Sequence, residues 1–484
     1  MKHLISLVML SLLTITLTFA QEESSSFYAT MALIDAEELQ KEYPNEITII
    51  AKRRNEAAVL ISEEGSHKLH GRVLVHGPGF IYKSSESQAK QALLNDNKSA
   101  AQSKMAFTIT EDAIVNLAMD AINTQNIANH ITELENYGTR YHTSSAGAQS
   151  AQDLKVKWET MATTFNRSDV SVRLVNHTST PMPSVVMTIQ GSEFPDEFVI
   201  VGGHLDSTSS QGNNDAPGAD DDASGIATIT EATRALFEIG FQPKRTIEIM
   251  AYAAEEVGLR GSAEIAADYR ANNVNVVAVG QFDMTNYNGS VNDVYFISDN
   301  TDTSLNAFFK QLMDYYNASG DHQLTYSTAL CNYGCSDHAS WNSQGYKASF
   351  PFEASFSQYN PNIHTRNDTF SISGTAEHAT KFAKLCSEFL IEVAKNDATL
   401  STPEFEAEGY YIYTNNKTLT YQIAETSSKV ESIDIYDMNG RKILQKEDIG
   451  TSGTIIMNSI SSGVYVITLA LKDQRQLSKK IILK

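Results

Sequence analysis

The stretch Phe198-Val199-Ile200-Val201-Gly202-Gly203-His204-Leu205-Asp206 decides the reading of this chain. A continuous apolar run of this kind reads as a strand buried on both faces. It passes through two glycines directly into a histidine and an aspartate. Two further apolar runs end in the same manner. Thr246–Tyr252 leads into Ala253-Ala254-Glu255-Glu256, and Val276–Phe282 leads into Asp283. Val294–Ile297 is a fourth strand-like run. Between and around them, Ile127, Ile131 and Leu134 recur at helical spacing, as do Leu154, Trp158 and Met161. Ala227–Ile239 and His378–Lys395 also read as helices. The pattern predicts an α/β unit over residues 102–398, a mostly parallel (mixed) sheet with helices on both faces.

In open α/β sheets, sites form just beyond the C-terminal ends of strands. Three separate strands therefore deliver His, Glu and Asp to one edge. Loops add Asp220-Asp221-Asp222 and Ile363-His364-Thr365. Each motif alone has a bland reading: a structural histidine, a solvated acidic turn, an exposed glutamate pair, a helix cap. Their joint occurrence at segment ends points to a site. Asp221, Glu256 and Asp283 gathered together would raise one another's pKa and force a proton onto at least one of them. Two divalent cations remove that cost, and the imidazoles of His204 and His364 supply one nitrogen to each. Mixed histidine and carboxylate ligation suits Zn²⁺. The arithmetic gives one bridging carboxylate, with one His and one terminal carboxylate per ion.

The flanks have other textures. Residues 1–20 carry a short basic start, an apolar stretch and a Thr-Phe-Ala end, the order of a secretory signal peptide. A membrane anchor is the alternative, but the apolar run is shorter than the ~20 residues a span needs. Residues 21–101 read as a propeptide-like α+β unit and linker, with strand-like runs at 47–51, 58–61 and 71–75 and a polar stretch at 84–104. Its position between leader and catalytic unit suggests that it assists folding and blocks the active site. Residues 399–409 form a linker. Residues 410–484 carry short alternating runs at 419–423, 433–436, 443–445, 454–457, 464–471 and 480–483, with an Asn439-Gly440 hairpin signal, and read as an all-β sandwich.

A chain of 484 residues is too long for one typical core, so two or three folding units are expected. The 37 basic against 58 acidic residues give a net charge of −21, which argues against nucleic acid or an anionic membrane as partner. Three cysteines are too few for a disulfide-built scaffold. No H-E-x-x-H, G-x-S-x-G or P-loop pattern is present. His338, in Ser336-Asp337-His338, invites a serine-type reading but reads as structural.

Taken together, GGHLDS, APGADDDASGIA, FQPKR, MAYAAEEVGLRGS, DMTNY, CNYGCSDHASW and YNPNIHT resemble the secreted bacterial leucyl aminopeptidases. These are the Vibrio-type dizinc exopeptidases of zinc-peptidase family 28, and the match runs from about Asn126 to Lys395. The resemblance implies two Zn²⁺ per subunit. His204 and Asp283 would hold one, Glu256 and His364 the other, and Asp221 would bridge. It implies Glu255 as general base toward a bridging hydroxide, Tyr333 as donor to the oxyanion, and Asp206 as the partner of the second His204 nitrogen. It implies that Met284, Ile297, Phe350, Phe352, Phe356, Tyr359 and Ile363 flank a hydrophobic pocket for the first substrate side chain, favouring Leu or another large apolar residue. Several of these seven can equally be core residues.

In an exported protein Cys331 and Cys335 can form a disulfide that holds Tyr333 and the pocket wall, or stay as two thiols near zinc. Cys386 reads as a buried free thiol. The final segment, with VESIDIYDMNGRKIL and SSGVYVITL, resembles the C-terminal sorting domains of the type IX secretion system, which implies export and engagement of that machinery; a carbohydrate-binding or spacer sandwich is the alternative. The expected protein is a monomeric, secreted or surface-held aminopeptidase acting on peptides with a free N-terminus. Two rivals stand beside it. A related dizinc carboxypeptidase or aminoacylase would need a cation such as Arg366 near the pocket, and a non-catalytic peptide-binding protein would have no need of Glu255.

Overall fold

The computed structural model describes residues 26–72, 77–94, 107–395, 410–415, 417–423, 430–437, 441–447, 449–450, 452–461, 463–472 and 476–483. Residues 1–25, the linker at 399–409 and the Asn439-Gly440 turn lie outside the described residues.

The first unit runs β1 (Ser26–Ala32), α1 (Leu33–Glu42), β2 (Ile47–Arg53), β3 (Glu56–Ser62), α2 (Glu63–Arg72), β4 (Phe80–Lys83), α3 (Glu86–Ala92). Its antiparallel sheet has the order β2-β3-β1-β4, over a small core that includes Leu39, Val59, Ile61 and Phe80. The strand expected at 71–75 is not formed at its start. Gly71 and Arg72 close α2, whose Glu63-Glu64 start favours a helix N-terminus, and 73–75 lie outside the described residues.

The middle unit follows as α4 (Asp112–Ala121), α5 (Thr124–Glu135), α6 (Ser145–Thr164), β5 (Val170–Val175), β6 (Ser184–Ile189), β7 (Phe194–His204), α7 (Ala223–Glu238), β8 (Arg245–Tyr252), α8 (Arg260–Ala271) and β9 (Asn275–Gln281). It continues with β10 (Val294–Ile297), α9 (Thr303–Tyr316), β11 (Tyr326–Ala329), α10 (His338–Ser343), β12 (Ala348–Ser349), β13 (Pro351–Phe352) and α11 (Glu377–Lys395). The main sheet has the order β12-β9-β7-β8-β6-β5. Pairings from β12 to β8 are parallel, and those of β6 with β8 and β5 are antiparallel. The sheet is mixed, and β10 leaves it for a small sheet with β11 and β13.

Alternation along the central strands explains the layers. Val199, Val201, Ile247 and Ile249 enter one large core with α4–α7, α9 and α11. Ile200, Met250 and Val279 enter another with Ile265 of α8 and Trp341 of α10. Helices thus cover both faces, and burial of each large apolar side chain contributes roughly 1.5–3 kcal/mol. This double cover keeps β7, β8 and β9 in register, so their ends open at one level.

The last unit comprises β14 (Tyr410–Asn415), β15 (Thr418–Ile423), β16 (Val430–Asp437), β17 (Lys442–Glu447), β18 (Ser452–Ile456), β19 (Gly463–Leu471) and β20 (Gln476–Leu483). They form two antiparallel sheets, β14-β15-β18 and β17-β16-β19-β20, around Leu419, Ile433, Ile435, Ile467 and Leu469. Among the described residues no helix is long and apolar enough to cross a membrane.

Candidate metal centre and active site

His204 is the last residue of β7, Glu255 and Glu256 follow β8, and Asp283 follows β9. Asp221 lies just ahead of α7, whose cap is Asp222. Two glycines permit this crowding. A Cβ on Gly203 would stand 2.6 Å from Asp222 Oδ2, and one on Gly225 would stand 2.1 Å from the Phe282 carbonyl oxygen. Ala254, Met284 and His364 all take left-handed φ values (57°, 52° and 54°). Such conformations are uncommon without glycine and concentrate at functional sites. Each of these turns lies at or beside Glu255 or one of the expected ligands Asp283 and His364.

The five expected ligands meet. His204 Nε2 lies 2.9 Å from Asp221 Oδ1 and 3.4 Å from Asp283 Oδ1. His364 Nε2 lies 3.1 Å from Asp221 Oδ2 and 3.0 Å from Glu256 Oε2. The two oxygens of Asp221 therefore face different histidines, each of which has its own second carboxylate. His204, Asp221 and Glu256 offer ligand atoms within 4.8 Å of one another, as do His204, Asp222 and Asp283. Asp222 is nevertheless a cap: its Oδ2 accepts from His204 N–H, and its Oδ1 from the Gly225 and Met284 N–H groups.

The donor set fits paired cations on its own chemistry. All five expected ligands are buried, and among the described residues neither Glu255 oxygen receives a hydrogen bond. Burial, with Asp337, Glu256 and Asp283 nearby, pushes the Glu255 carboxyl well above its usual range, although His204 opposes this. Burial pulls the His204 imidazole down, but Asp283 and Asp221 outweigh it and hold it well above its normal value. His364 is raised against burial in the same way by Glu256 and Asp221. Uncompensated, such a cluster is costly, and bound cations invert that logic.

Asp206 differs from its expected role. His204 Nδ1 is 2.9 Å from the Asp206 main-chain oxygen, while the carboxylate Oδ1 is 3.7 Å away. That carboxylate instead accepts the backbone N–H groups of Glu255 (2.9 Å) and Glu256 (3.2 Å). Two-residue spacing brings the carbonyl, not the side chain, over the ring. Asp206 therefore aims the glutamate pair, and burial pushes its own carboxyl up to about 6.

Other supports were not legible in the sequence. Ser336 Oγ donates to Asp283 Oδ2 at 2.5 Å, and Gln281 Nε2 donates to Ser336. Asp368 accepts the backbone N–H groups of Asp220 and Asp221, and Asn360 joins Asp220 to Asp368. Since Asp368 sits four residues after His364, one carboxylate ties the loop of Asp221 to the loop of His364. The buried Arg140 guanidinium donates to the carbonyls of Leu134, Leu205, Pro217 and Gly218. Arg140 sits in a plain polar loop sequence, so only long-range contacts reveal it.

A disulfide joins Cys331 to Cys335 across a Cα separation of 6.3 Å, and Cys386 is a buried free thiol. Met284, Ile297, Phe350, Phe352, Tyr359 and Ile363 form one cluster with the two bridged cysteines, and Tyr333 and Phe356 pack on its edge. Met284, Ile297, Phe350 and Phe352 are fully buried and make the floor of this cluster. Burial first, then Tyr359 and the charges of Glu255 and Asp221, push the Tyr333 hydroxyl well above the usual range. Arg366 points away, with Nε 2.9 Å from Gln211 Oε1 and 3.3 Å from Asp215 Oδ2. His338 is buried at the start of α10, its ring 4.9 Å from that of Phe350.

A model of peptidase family M28 matches residues 184–389, which span every expected ligand. A probable leucine aminopeptidase of Arthroderma benhamiae is 35% identical over 293 residues, covering 59% of this chain and 78% of the relative. The crystal structure of the Legionella pneumophila LapA aminopeptidase aligns at a TM-score of 0.67 with 30% identity, covering 77% of this chain and 99% of that one. LapB from the same organism gives a TM-score of 0.67 with 27% identity over 77% of this chain and 100% of that one. This chain belongs to peptidase family M28, and that membership makes it a metallo-aminopeptidase-type hydrolase with the fungal and Legionella enzymes as relatives. Residues 399–483 match a domain of unknown function, DUF8694.

Proposed function

We propose that this chain is a secreted dizinc aminopeptidase that removes an N-terminal Leu or similarly large apolar residue from peptides. The observation that carries the reading is the unliganded Glu255 beside a five-ligand centre shared by Asp221. His204 and Asp283 would hold one Zn²⁺, His364 and Glu256 the other. Such ions would ionise a water near pH 7 and polarise the scissile carbonyl.

The chain's own groups do the rest. Glu255, which receives no hydrogen bond at either oxygen among the described residues, takes the proton of the attacking water and returns it to the leaving amine. The Tyr333 hydroxyl donates to the oxyanion. Asp206 fixes the backbone of the Glu255-Glu256 pair, and Ser336 orients Asp283. The cluster around Phe356, Tyr359 and Ile363 excludes water and takes the first side chain.

A signal peptide at residues 1–20 and a sorting role for residues 410–484, read by type IX machinery, would carry a monomer outside the cell. The outward placement of Arg366 supports the aminopeptidase over a carboxypeptidase. The direct test compares Leu-p-nitroanilide with its N-blocked analogue, with and without a chelator. Hydrolysis of the free-amine compound alone, lost with chelator, is expected. Equal cleavage of the blocked compound would sink the reading.

A further inference from the structure

The Tyr333 hydroxyl can serve an oxyanion only if its loop, residues 330–337 between β11 and α10, keeps one orientation toward the metal centre. The Cys331–Cys335 bridge closes that loop on itself. It limits the loop's internal shape and leaves its orientation to contacts with the rest of the unit. One end is tied to the centre directly, since Ser336 Oγ donates to Asp283 Oδ2 at 2.5 Å. The other end, which carries Tyr333, is held by a different segment of the chain.

That segment is Ser298-Asp299-Asn300, the turn after β10. β10 and β11 pair in parallel with Ile297 opposite Ala329, so both chains leave the small sheet side by side and in the same direction. The Ser298 N–H donates to the Ala329 carbonyl at 3.1 Å and extends the pairing by one step. Beyond it, the Asp299 carboxylate accepts two consecutive backbone N–H groups of the loop. Its Oδ1 takes that of Cys331 at 3.1 Å, and its Oδ2 takes that of Asn332 at 2.5 Å. Asn300 Nδ2 donates to the Tyr333 carbonyl at 2.9 Å. Hydrogen bonds to an ionised carboxylate are among the stronger ones. The contacts fall just before Tyr333 and on its own carbonyl, so they fix the backbone from which the phenol extends. Asn300 and Asn332 sit at left-handed φ of 55° and 69°, a conformation that asparagine tolerates better than most side chains. Asp299 is half-buried and Asn300 exposed, and neither belongs to the apolar cluster on which Tyr333 packs.

We propose that Asp299 and Asn300 are positioning residues for the oxyanion donor: together they hold the backbone of Cys331, Asn332 and Tyr333 so that the Tyr333 hydroxyl is aimed at the scissile carbonyl. The inference rests on the aminopeptidase reading above and adds two residues that act through Tyr333. Neither is among the expected ligands. One oxyanion donor is worth about 10²–10³ in kcat, and a misplacement of ~1 Å can cost about 10²-fold. Loosening the hold therefore acts in the transition state, where the oxyanion exists, and leaves binding of the substrate nearly unchanged.

The experiment is a double-mutant cycle on the complete chain. Asp299→Ala and Asn300→Ala are each made alone and together with Tyr333→Phe, and kcat and KM for Leu-p-nitroanilide are read with zinc content in parallel. With Tyr333 in place, the Asp299 change is expected to lower kcat about 10–100-fold and the Asn300 change about 3–10-fold, with KM within about twofold and zinc at the parental value. In the Tyr333→Phe chain, which has no hydroxyl to misplace, either change should alter kcat by less than about twofold. Equal losses in both backgrounds would make the pair general supports and overturn the inference, leaving the aminopeptidase reading standing. Parental kcat in both single variants, or loss of zinc, would overturn it too. If Asp299→Ala does not fold, the Asn300 arm decides by the same comparison, because that exposed side chain can be removed without opening the core. A zinc-loaded parent that hydrolyses nothing would overturn the aminopeptidase reading, and this inference with it.

Discussion

Two sets of buried carboxylates stand at opposite ends of the catalytic unit, and they are treated differently. On α11, Glu392 accepts the backbone N–H groups of Thr110 and Glu111 at 2.9 Å each, and also the Tyr316 hydroxyl. Its neighbour Glu388 accepts from Asn317 Nδ2 at 2.9 Å. At the rim of β7–β9, by contrast, Glu255 accepts no hydrogen bond among the described residues, and Asp221, Glu256 and Asp283 face imidazole nitrogens, Asp283 also accepting from Ser336. Partnered acids tether elements, as Glu392 tethers the chain ahead of α4 to α11. Acids gathered around imidazoles in this way are relieved either by protons or by bound cations, and the proposed function takes the second course.

The contrast breaks first at Glu255. Changing Glu255 to Ala should lower kcat by roughly 10²–10⁴-fold while zinc content, measured by metal analysis, stays at the parental value. Loss of zinc in that variant would make Glu255 a ligand and erase the distinction from Glu256. The supports come next. Ser336→Ala or Asp368→Ala should weaken zinc binding about 10–100-fold, read by chelator competition, with activity recovering at excess zinc. Unchanged affinity would reduce both residues to packing.

At the apolar cluster the expected effect is smaller. Phe356→Ala should lower the preference for Leu over Ala at the substrate N-terminus by ~1–3 kcal/mol in kcat/KM ratios. A variant that keeps its preference would move the pocket elsewhere.

The smallest effect lies at the far end. Burial pushes the Glu388 carboxyl up to about 8, with Asn317 and Lys384 opposing it. Its folded pKa exceeds the unfolded value near 4.5, so the native state holds a proton that the unfolded chain releases. Its contribution to stability is therefore best below about pH 4.5 and declines as pH rises toward about 8. Glu388→Gln removes that decline. Its melting temperature should exceed the parent's by a few degrees at pH 8 and match it near pH 5. A parental slope in the variant would show that Glu388 does not titrate in this window.

Much of the middle unit could be read from the chain alone, because a strand buried on both faces must be continuously apolar and whatever follows it must emerge at the sheet edge. Phe198–Val201 and Thr246–Tyr252 are legible for that reason, and so are His204, Glu255, Glu256 and Asp283 behind their strands. Other features were not. Gly71-Arg72 looked like the start of a strand but ends a helix, since local propensity yields to the helix begun at Glu63. Val294–Ile297 read as a strand and is one, but its pairing with β11 and β13 outside the main sheet was not legible, because pairing partners are a long-range choice.

Sequence by itself determined which side chains could ligate, which runs are buried and where the charge burden falls, since these follow from residue type and period. Only the tertiary structure decided that Asp206 holds a backbone instead of a ring, that Asp222 is a cap while Asp221 faces both histidines, and that Gly77 lies against Glu255. Those outcomes depend on ångström-scale distances between segments far apart in the chain. No local pattern encodes such distances, because they are set by how whole elements pack.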